Sequence, residues 1–163
     1  MTLKPVQIQG WLKDVNDNFA ELGPVGVNVG LGSLRVARFE FDAGVVANRS
    51  IAAHGTGVTL PIHAIVVGGF VDVNTAFTSA DTNTGQIAIH VQAANDIISA
   101  AAVSGAPYST IGRKAIVPKA NTPESTSVKT TAAREITCTV SVAALLTGKL
   151  TGYLYYVEGI ASA

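Results

Sequence analysis

The sequence predicts a mainly β protein: an antiparallel β-sandwich or jelly-roll-like domain over residues 33–163, preceded by an irregular N-terminal arm over residues 1–32. Three observations carry that prediction. Several short runs alternate apolar and polar residues with period two, turn-forming residues separate them, and no repeated strand-helix-strand pattern runs through the chain. At 163 residues the chain is long enough for one domain with one main core and short for two. It shows no collagen, heptad or propeller repeat.

The arm contains Pro5, Pro24 and several glycines in a weak periodic pattern, with Trp11 and Leu12 as anchors. Gly23, Gly26, Gly30 and Gly32 are not spaced as a dinucleotide-binding fingerprint. Trp11 has two destinations open to it, this domain or a neighbouring one, and local docking is the simpler. The first strand is predicted over residues 34–41. Leu34 and Val36 share one parity and Phe39 and Phe41 the other, so a bulge or turn near Arg38 is expected to reconcile the two apolar faces. Arg35, Arg38 and Glu40 cover exposed positions.

A second apolar system runs from Gly57 through Val58 and Leu60 into residues 65–73. Pro61 interrupts it, because proline cannot donate a ladder hydrogen bond. Ile65, Val67, Val71 and Val73 oppose Val66 and Phe70, which predicts a strand covered on both sides, and Gly68 with Gly69 predicts a bend, bulge or close strand approach. Residues 86–91 alternate cleanly, with Ile87, Ile89 and Val91 on one face. The Asp/Asn/Gly-rich residues 79–85 before them predict a hairpin from the preceding strand.

Asn95 and Asp96 read as a polar cap on a short helix over residues 97–102. Residues 115–117 predict a short strand and residues 118–127 a flexible connection. Residues 135–142 place Ile136, Cys138, Val140 and Val142 on one face, opposite Thr137, Thr139 and Ser141. The terminal strand is predicted over residues 150–158, after a turn at Thr147-Gly148-Lys149. Gly152, Leu154 and Tyr156 form one face and Tyr153, Tyr155 and Val157 the other. That two-sided aromatic content fits either a sandwich edge covered by a protein partner or ordinary core packing.

Composition narrows the partners. Eleven Lys and Arg balance eleven Asp and Glu, so no net basic field draws the chain onto nucleic acid or acidic lipid, and neither partner is expected. The chain is 48% hydrophobic but only 13% charged, too apolar for wholesale disorder and weakly charged for a solitary surface, which predicts a protein partner. No secretory signal opens the sequence, and residues 64–73 fall far below the roughly 17 to 25 apolar residues that span lipid. The chain reads as soluble, which allows incorporation into a large assembly.

No residue is assigned a catalytic, cofactor-binding or metal role. His54, His63 and His90 lie in different predicted elements and form no compact ligand motif or His-x-His pair. Asp81, Asn83 and Gly85 superficially suggest a calcium loop without completing one, and Asp72 adds only one carboxylate. Ser50, Ser104 and Ser109 sit in no nucleophile elbow. The single cysteine, Cys138, forms no intrachain disulfide and occupies a core position in a strand. Asp14 and Asp17 make no acid/base pair with the scattered remaining acids. Arg113 and Lys114, beside Pro107 and Tyr108, are a modest basic pair on a solvated surface.

Residues 60–80, with Ile65-Val66-Val67-Gly68-Gly69-Phe70-Val71, precede residues 131–157, with Ala133-Arg134-Glu135-Ile136-Thr137 and Gly152-Tyr153-Leu154-Tyr155-Tyr156. This arrangement resembles the small β-rich head decoration, or cement, proteins of tailed bacteriophages, over most of residues 41–156. The resemblance implies a noncatalytic homotrimer on the exterior of the phage head. Its partner would be the major capsid protein and its role the stabilisation of contacts between capsomers. It carries no attachment residue onto this chain, and the arm is its least matched part. The alternatives are a phage tail or fibre component, or a carbohydrate-binding β-sandwich using Tyr153 and Tyr155.

Overall fold

The computed structural model describes residues 34–118 and 126–158. The expected arm, residues 1–32, lies outside the described residues, as does most of the connection predicted over residues 118–127. Among the described residues nine strands follow in order: β1 (Leu34–Asp42), β2 (Ala53–Leu60), β3 (Ala64–Ser79), β4 (Gln86–His90), β5 (Ile98–Ala102), β6 (Gly112–Ile116), β7 (Val128–Lys129), β8 (Arg134–Ser141) and β9 (Leu145–Glu158). Among the described residues no helix is long and apolar enough to cross a membrane.

Two antiparallel sheets share one core. The first has the order β1-β9-β3-β6, with β7 also pairing β3, and the second has the order β2-β8-β4-β5. Apart from the two-residue β7, the strands nest as antiparallel pairs: β4 with β5, β3 with β6, β2 with β8, and β1 with β9. That is one long hairpin rolled across two sheets, the jelly-roll arrangement expected from the sequence. Phe39, Phe41, Val66, Val71, Val73 and Leu154 from the first sheet meet Leu60, Ile87, Ile89, Ile136, Cys138 and Val140 from the second in the buried core.

The rolled topology corrects several local expectations. Residues 79–85 do not close a hairpin, because β3 and β4 belong to different sheets. They make a tight turn, Ala80–Asn83, with Asp81 and Thr82 left-handed at φ 51° and 58°. Asn83 Oδ1 accepts the Ser79 amide at 2.8 Å, and the Gly85 amide donates to Ser79 Oγ at 2.8 Å. The hairpin lies one strand later. Residues 98–102 form β5 rather than a helix, since Ala102, Ala101 and Ile98 pair with Gln86, Ile87 and Ile89. Asp96 serves that hairpin's turn, its carboxylate accepting the amides of Val91, Gln92 and Ala93 at 2.9, 2.9 and 2.8 Å.

β1 contains no bulge. Its register against β9 runs unbroken from Leu34↔Val157 to Asp42↔Lys149, so Ala37, Phe39 and Phe41 face the core while Leu34 and Val36 stay exposed. The irregularity sits in β3, where Val66 pairs Tyr156 and Gly68 pairs Tyr155, leaving Val67 as an extra residue. Inward positions therefore switch from Ala64 and Val66 to Val71 and Val73, and the apparent loading of both faces is a change of parity within one strand.

Thr147-Gly148-Lys149 is not a turn before the last strand but an irregular stretch inside β9. Thr147 pairs Thr78 and Lys149 pairs Thr75. Gly148 has φ +130°, and a Cβ there would strike the Phe77 ring, so only glycine fits. β9 lies between β1 and β3, which rules out its reading as a sandwich edge. Val142 also departs from its expected place. It follows β8 with φ 69° and is exposed, while Ile136, Cys138 and Val140 are buried.

Candidate functional site

The outward face of the five-stranded sheet is built by register. Arg38 of β1 stands opposite Tyr153 of β9, which stands opposite Phe70 of β3, itself opposite Ala115 of β6. Cross-strand neighbours on one face lie close enough for aromatic and charged side chains to interact. The Phe70 and Tyr153 rings stack with centroids 4.7 Å apart, and Tyr155 meets Phe70 edge-on at 6.1 Å. The Arg113 guanidinium lies 4.4 Å from the Phe70 centroid. Phe70 is thus covered on one side by a ring and on another by a cation.

Arg38 closes the row. Its hydrogen bond to Tyr153, and then that to Glu40, hold the guanidinium pKa above its ordinary value. Lys149 Nζ lies 3.8 Å from Glu40 and 3.4 Å from Asp42, and Arg35 pairs with Glu158 at 3.2 Å. The face thus carries a charged border along β1 and an aromatic ladder across its middle. Exposed Leu34 and Val36 lie beside the ladder, with Val67 and Val117 also exposed.

A second apolar cluster occupies one end of the sandwich, where the β1–β2 and β8–β9 connections meet. Val45, Val46, Ile51, Val142 and Leu146 are all at least half exposed there. The connections are tied in by the Ala43 amide on the Gly148 carbonyl at 2.8 Å and the Val140 amide on the Ala52 carbonyl at 2.9 Å. At its tip, β-branched Val142 holds a left-handed φ of 69°, a conformation that costs energy and persists only where surrounding structure imposes it.

The residues weighed for chemistry fall in separate places. His54 Nε2 lies 2.8 Å from the Ser50 carbonyl oxygen rather than its hydroxyl. His63 occupies the β2–β3 turn with φ 64°, its amide bonded to the Thr130 carbonyl. His90 ends β4. Among the described residues no three His, Cys, Asp or Glu side chains come together as a metal site. The Ser109 amide donates to the Gly105 carbonyl in the loop before β6. Asp81, Asn83 and Gly85 belong to the tight turn already described, while Asp14 and Asp17 lie outside the described residues. Cys138 is fully buried, and that burial pushes its thiol up to about 12, far from a reactive thiolate.

Two partnerships escaped sequence reading. Arg113 sits on Phe70 instead of with Tyr108, since a strand pairing between distant segments brings it there. Tyr108 is fully buried, edge-on to Phe77 at 5.8 Å, and burial raises its hydroxyl pKa. A groove of about 370 Å³ between β5 and β6 is lined by Ile97, Ile98, Ser99, Pro107, Ala115 and Val117 among others.

No family model and no curated protein matches the chain. Solved structures do. A chain from the acidic stable capsid structure of Helicobacter pylori bacteriophage KHP30 superposes with a TM-score of 0.52 at 14% identity, over 76% of this chain and 86% of that one. A chain from the capsid asymmetric unit of cyanophage Pam1 gives 0.54 at 16% identity, over 77% and 85%. A chain from the capsid of Ralstonia phage GP4 gives 0.52 at 15% identity, over 80% and 87%. At these identities the likeness is one of architecture: the rolled two-sheet body is a fold found in chains of phage capsid structures.

Proposed function

We propose that this protein is a noncatalytic decoration protein of a tailed-phage head, a homotrimer that binds the outer capsid lattice and stabilises contacts between capsomers. The observation that carries the reading is the shared fold. The rolled body matches nearly the full length of chains from three phage capsid structures, 85–87% of each. The major capsid protein is the proposed partner and the exterior of the head the proposed location.

Physical support comes from the surface. The aromatic ladder and the apolar end of the sandwich present side chains that favour burial against protein. If each subunit bridges capsomers through a contact on the order of 1,000 Å², many copies around one shell turn modest affinities into resistance to opening. Residues 1–32 are proposed as an accessory arm in this attachment. The ladder speaks against sugar binding by the Tyr153 and Tyr155 pair, because Tyr153 is stacked on Phe70 and has less face to offer a pyranose.

Incubating the purified protein with matched expanded shells tests the proposal. Saturable co-sedimentation with shells is the expected result, and no association under virion-assembly conditions would reject it. Removal of residues 1–32 is expected to weaken attachment while leaving the melting temperature of the body unchanged. Location in an intact virion by cryo-electron microscopy separates head from tail, and density on tail or fibre alone would replace the head reading with the tail one.

A further inference from the structure

β1 is the longest unbroken strand edge among the described residues. Its register against β9 has no shift, it contains no proline, and β9 is the only strand hydrogen-bonded to it there. β2, the corresponding edge of the other sheet, is interrupted between Gly55 and Thr59. A long, regular edge of unpaired backbone groups is a template for another strand. Among the described residues no backbone partner other than β9 takes the β1 edge up to Phe41. At Asp42 the carbonyl is already taken by Asn48 Nδ2 at 3.0 Å and the Val45 amide at 3.3 Å.

We propose that two copies of the chain join through antiparallel pairing of their β1 strands, about a twofold axis at Phe39. The argument is charge complementarity. Arg38 and Glu40 both point outward, with side chains 56% and 42% exposed, and are ion-paired with each other within one copy. In this register Arg38 of each copy stands opposite Glu40 of the other, and the outer faces of the two sheets become continuous. Directly opposed residues in an antiparallel pair project to the same side, so only even shifts keep those faces together. A shift of two in one direction sets Arg38 against Arg38, and in the other sets Glu40 against Glu40 while Arg38 meets Asp42. Of the three registers only the one centred on Phe39 opposes no like charges directly, and it extends the Arg38–Glu40 pairing already made within each copy across the axis.

The contact is isologous and closes on itself. In the decoration layer proposed above, a threefold trimer uses a different, head-to-tail surface, so this strand pair would link one trimer to the next. That placement rests on the decoration reading, whereas the pairing itself needs no shell.

The full chain, studied by sedimentation velocity over a concentration series at low and high salt, provides the test. The wild type should show reversible association that weakens as salt rises, a doubling of mass for a free monomer and growth beyond the trimer for a trimer that carries three β1 edges. Arg38→Glu and Glu40→Arg should each raise the dissociation constant by about tenfold or more, by placing like charges across the axis. An equimolar mixture of the two variants should recover association, since every unlike pair then sets acid against base. The double variant Arg38→Glu with Glu40→Arg should do the same. Unchanged melting curves would show that all variants fold. A wild type that shows no such association, a single variant that associates like the wild type, or a mixture that fails to recover would each overturn the pairing. Shell co-sedimentation of the same variants keeps the readings apart: retained shell binding with lost edge association leaves decoration intact, and the converse leaves the strand pair intact.

Discussion

Phe39 of β1 stands directly across from Gly152 of β9, and its ring occupies the space in which a Cβ at 152 would lie. The glycine lets the Phe39 ring pass over its neighbour's backbone and reach the core. Gly152→Ala should therefore force Phe39 from its place and lower stability by about 1–3 kcal/mol, as overpacking does. Urea unfolding measures the loss. Adding Phe39→Leu should cost less in the Gly152→Ala background than in the wild type, and additive losses would show that the two positions do not share this space.

Asp96 is nearly buried, and its carboxylate holds three consecutive amides of the β4–β5 turn. Asp96→Ala should destabilise the protein by about 2–4 kcal/mol, because charge-assisted hydrogen bonds are lost and buried donors are left without partners. Asp96→Asn keeps one acceptor oxygen and should lose less. Hydrogen exchange at Val91, Gln92 and Ala93 should accelerate in the alanine variant ahead of exchange at Val140 in β8.

Burial pushes the Cys138 thiol up to about 12, above its ordinary 9.0. For an acid whose folded pKa is raised, the protonated form is favoured by folding, so unfolding releases a proton between the two values. Stability is unaffected below pH 9 and falls above it, by at most about 1.4 kcal/mol per pH unit from this group. Tyr108, also raised by burial, adds a loss of the same sign from its ordinary value of 10.0 upward. Comparing urea midpoints at pH 8 and pH 10.5 should show a smaller drop for Cys138→Ala than for the wild type. At pH 8 the folded wild type should resist thiol reagents that label it once unfolded.

Val142 holds its left-handed φ on the exposed apolar end of the sandwich. Val142→Asn should raise stability by about 1 kcal/mol, since asparagine tolerates that conformation better than a β-branched residue. If this end contacts the shell, the same variant should attach less tightly while melting higher. Thermal unfolding and shell co-sedimentation on one preparation check both halves.

Strands whose side chains alternate by local rule were readable from the residues alone. Ile87, Ile89 and Val91, and likewise Ile136, Cys138 and Val140, carry a period-two pattern that needs no distant partner to be recognised, and both sets are buried. β5 was not readable, because Asn95 and Asp96 serve a helix cap and a hairpin turn equally well until β4 supplies the pairing. The hairpin expected at residues 79–85 failed for a related reason. Its turn chemistry was correctly recognised, but which sheet receives the next strand is decided by pairings far along the chain. The outward ladder was legible only in part. Tyr153 and Tyr155 were visible as one face of a strand, whereas the seating of Arg113 on Phe70 depends on registers that join three separate segments.

The outermost pair of the roll sets Leu34 beside Val157. The body's first and last described strands therefore enter and leave at a single corner. A short linker joining that corner, with new ends opened in the turn around Ala93, would yield a circular permutant that keeps every strand pairing. Cargo genetically attached at Leu34 or Glu158 would be carried at that corner, leaving the apolar tip at Val142 unencumbered.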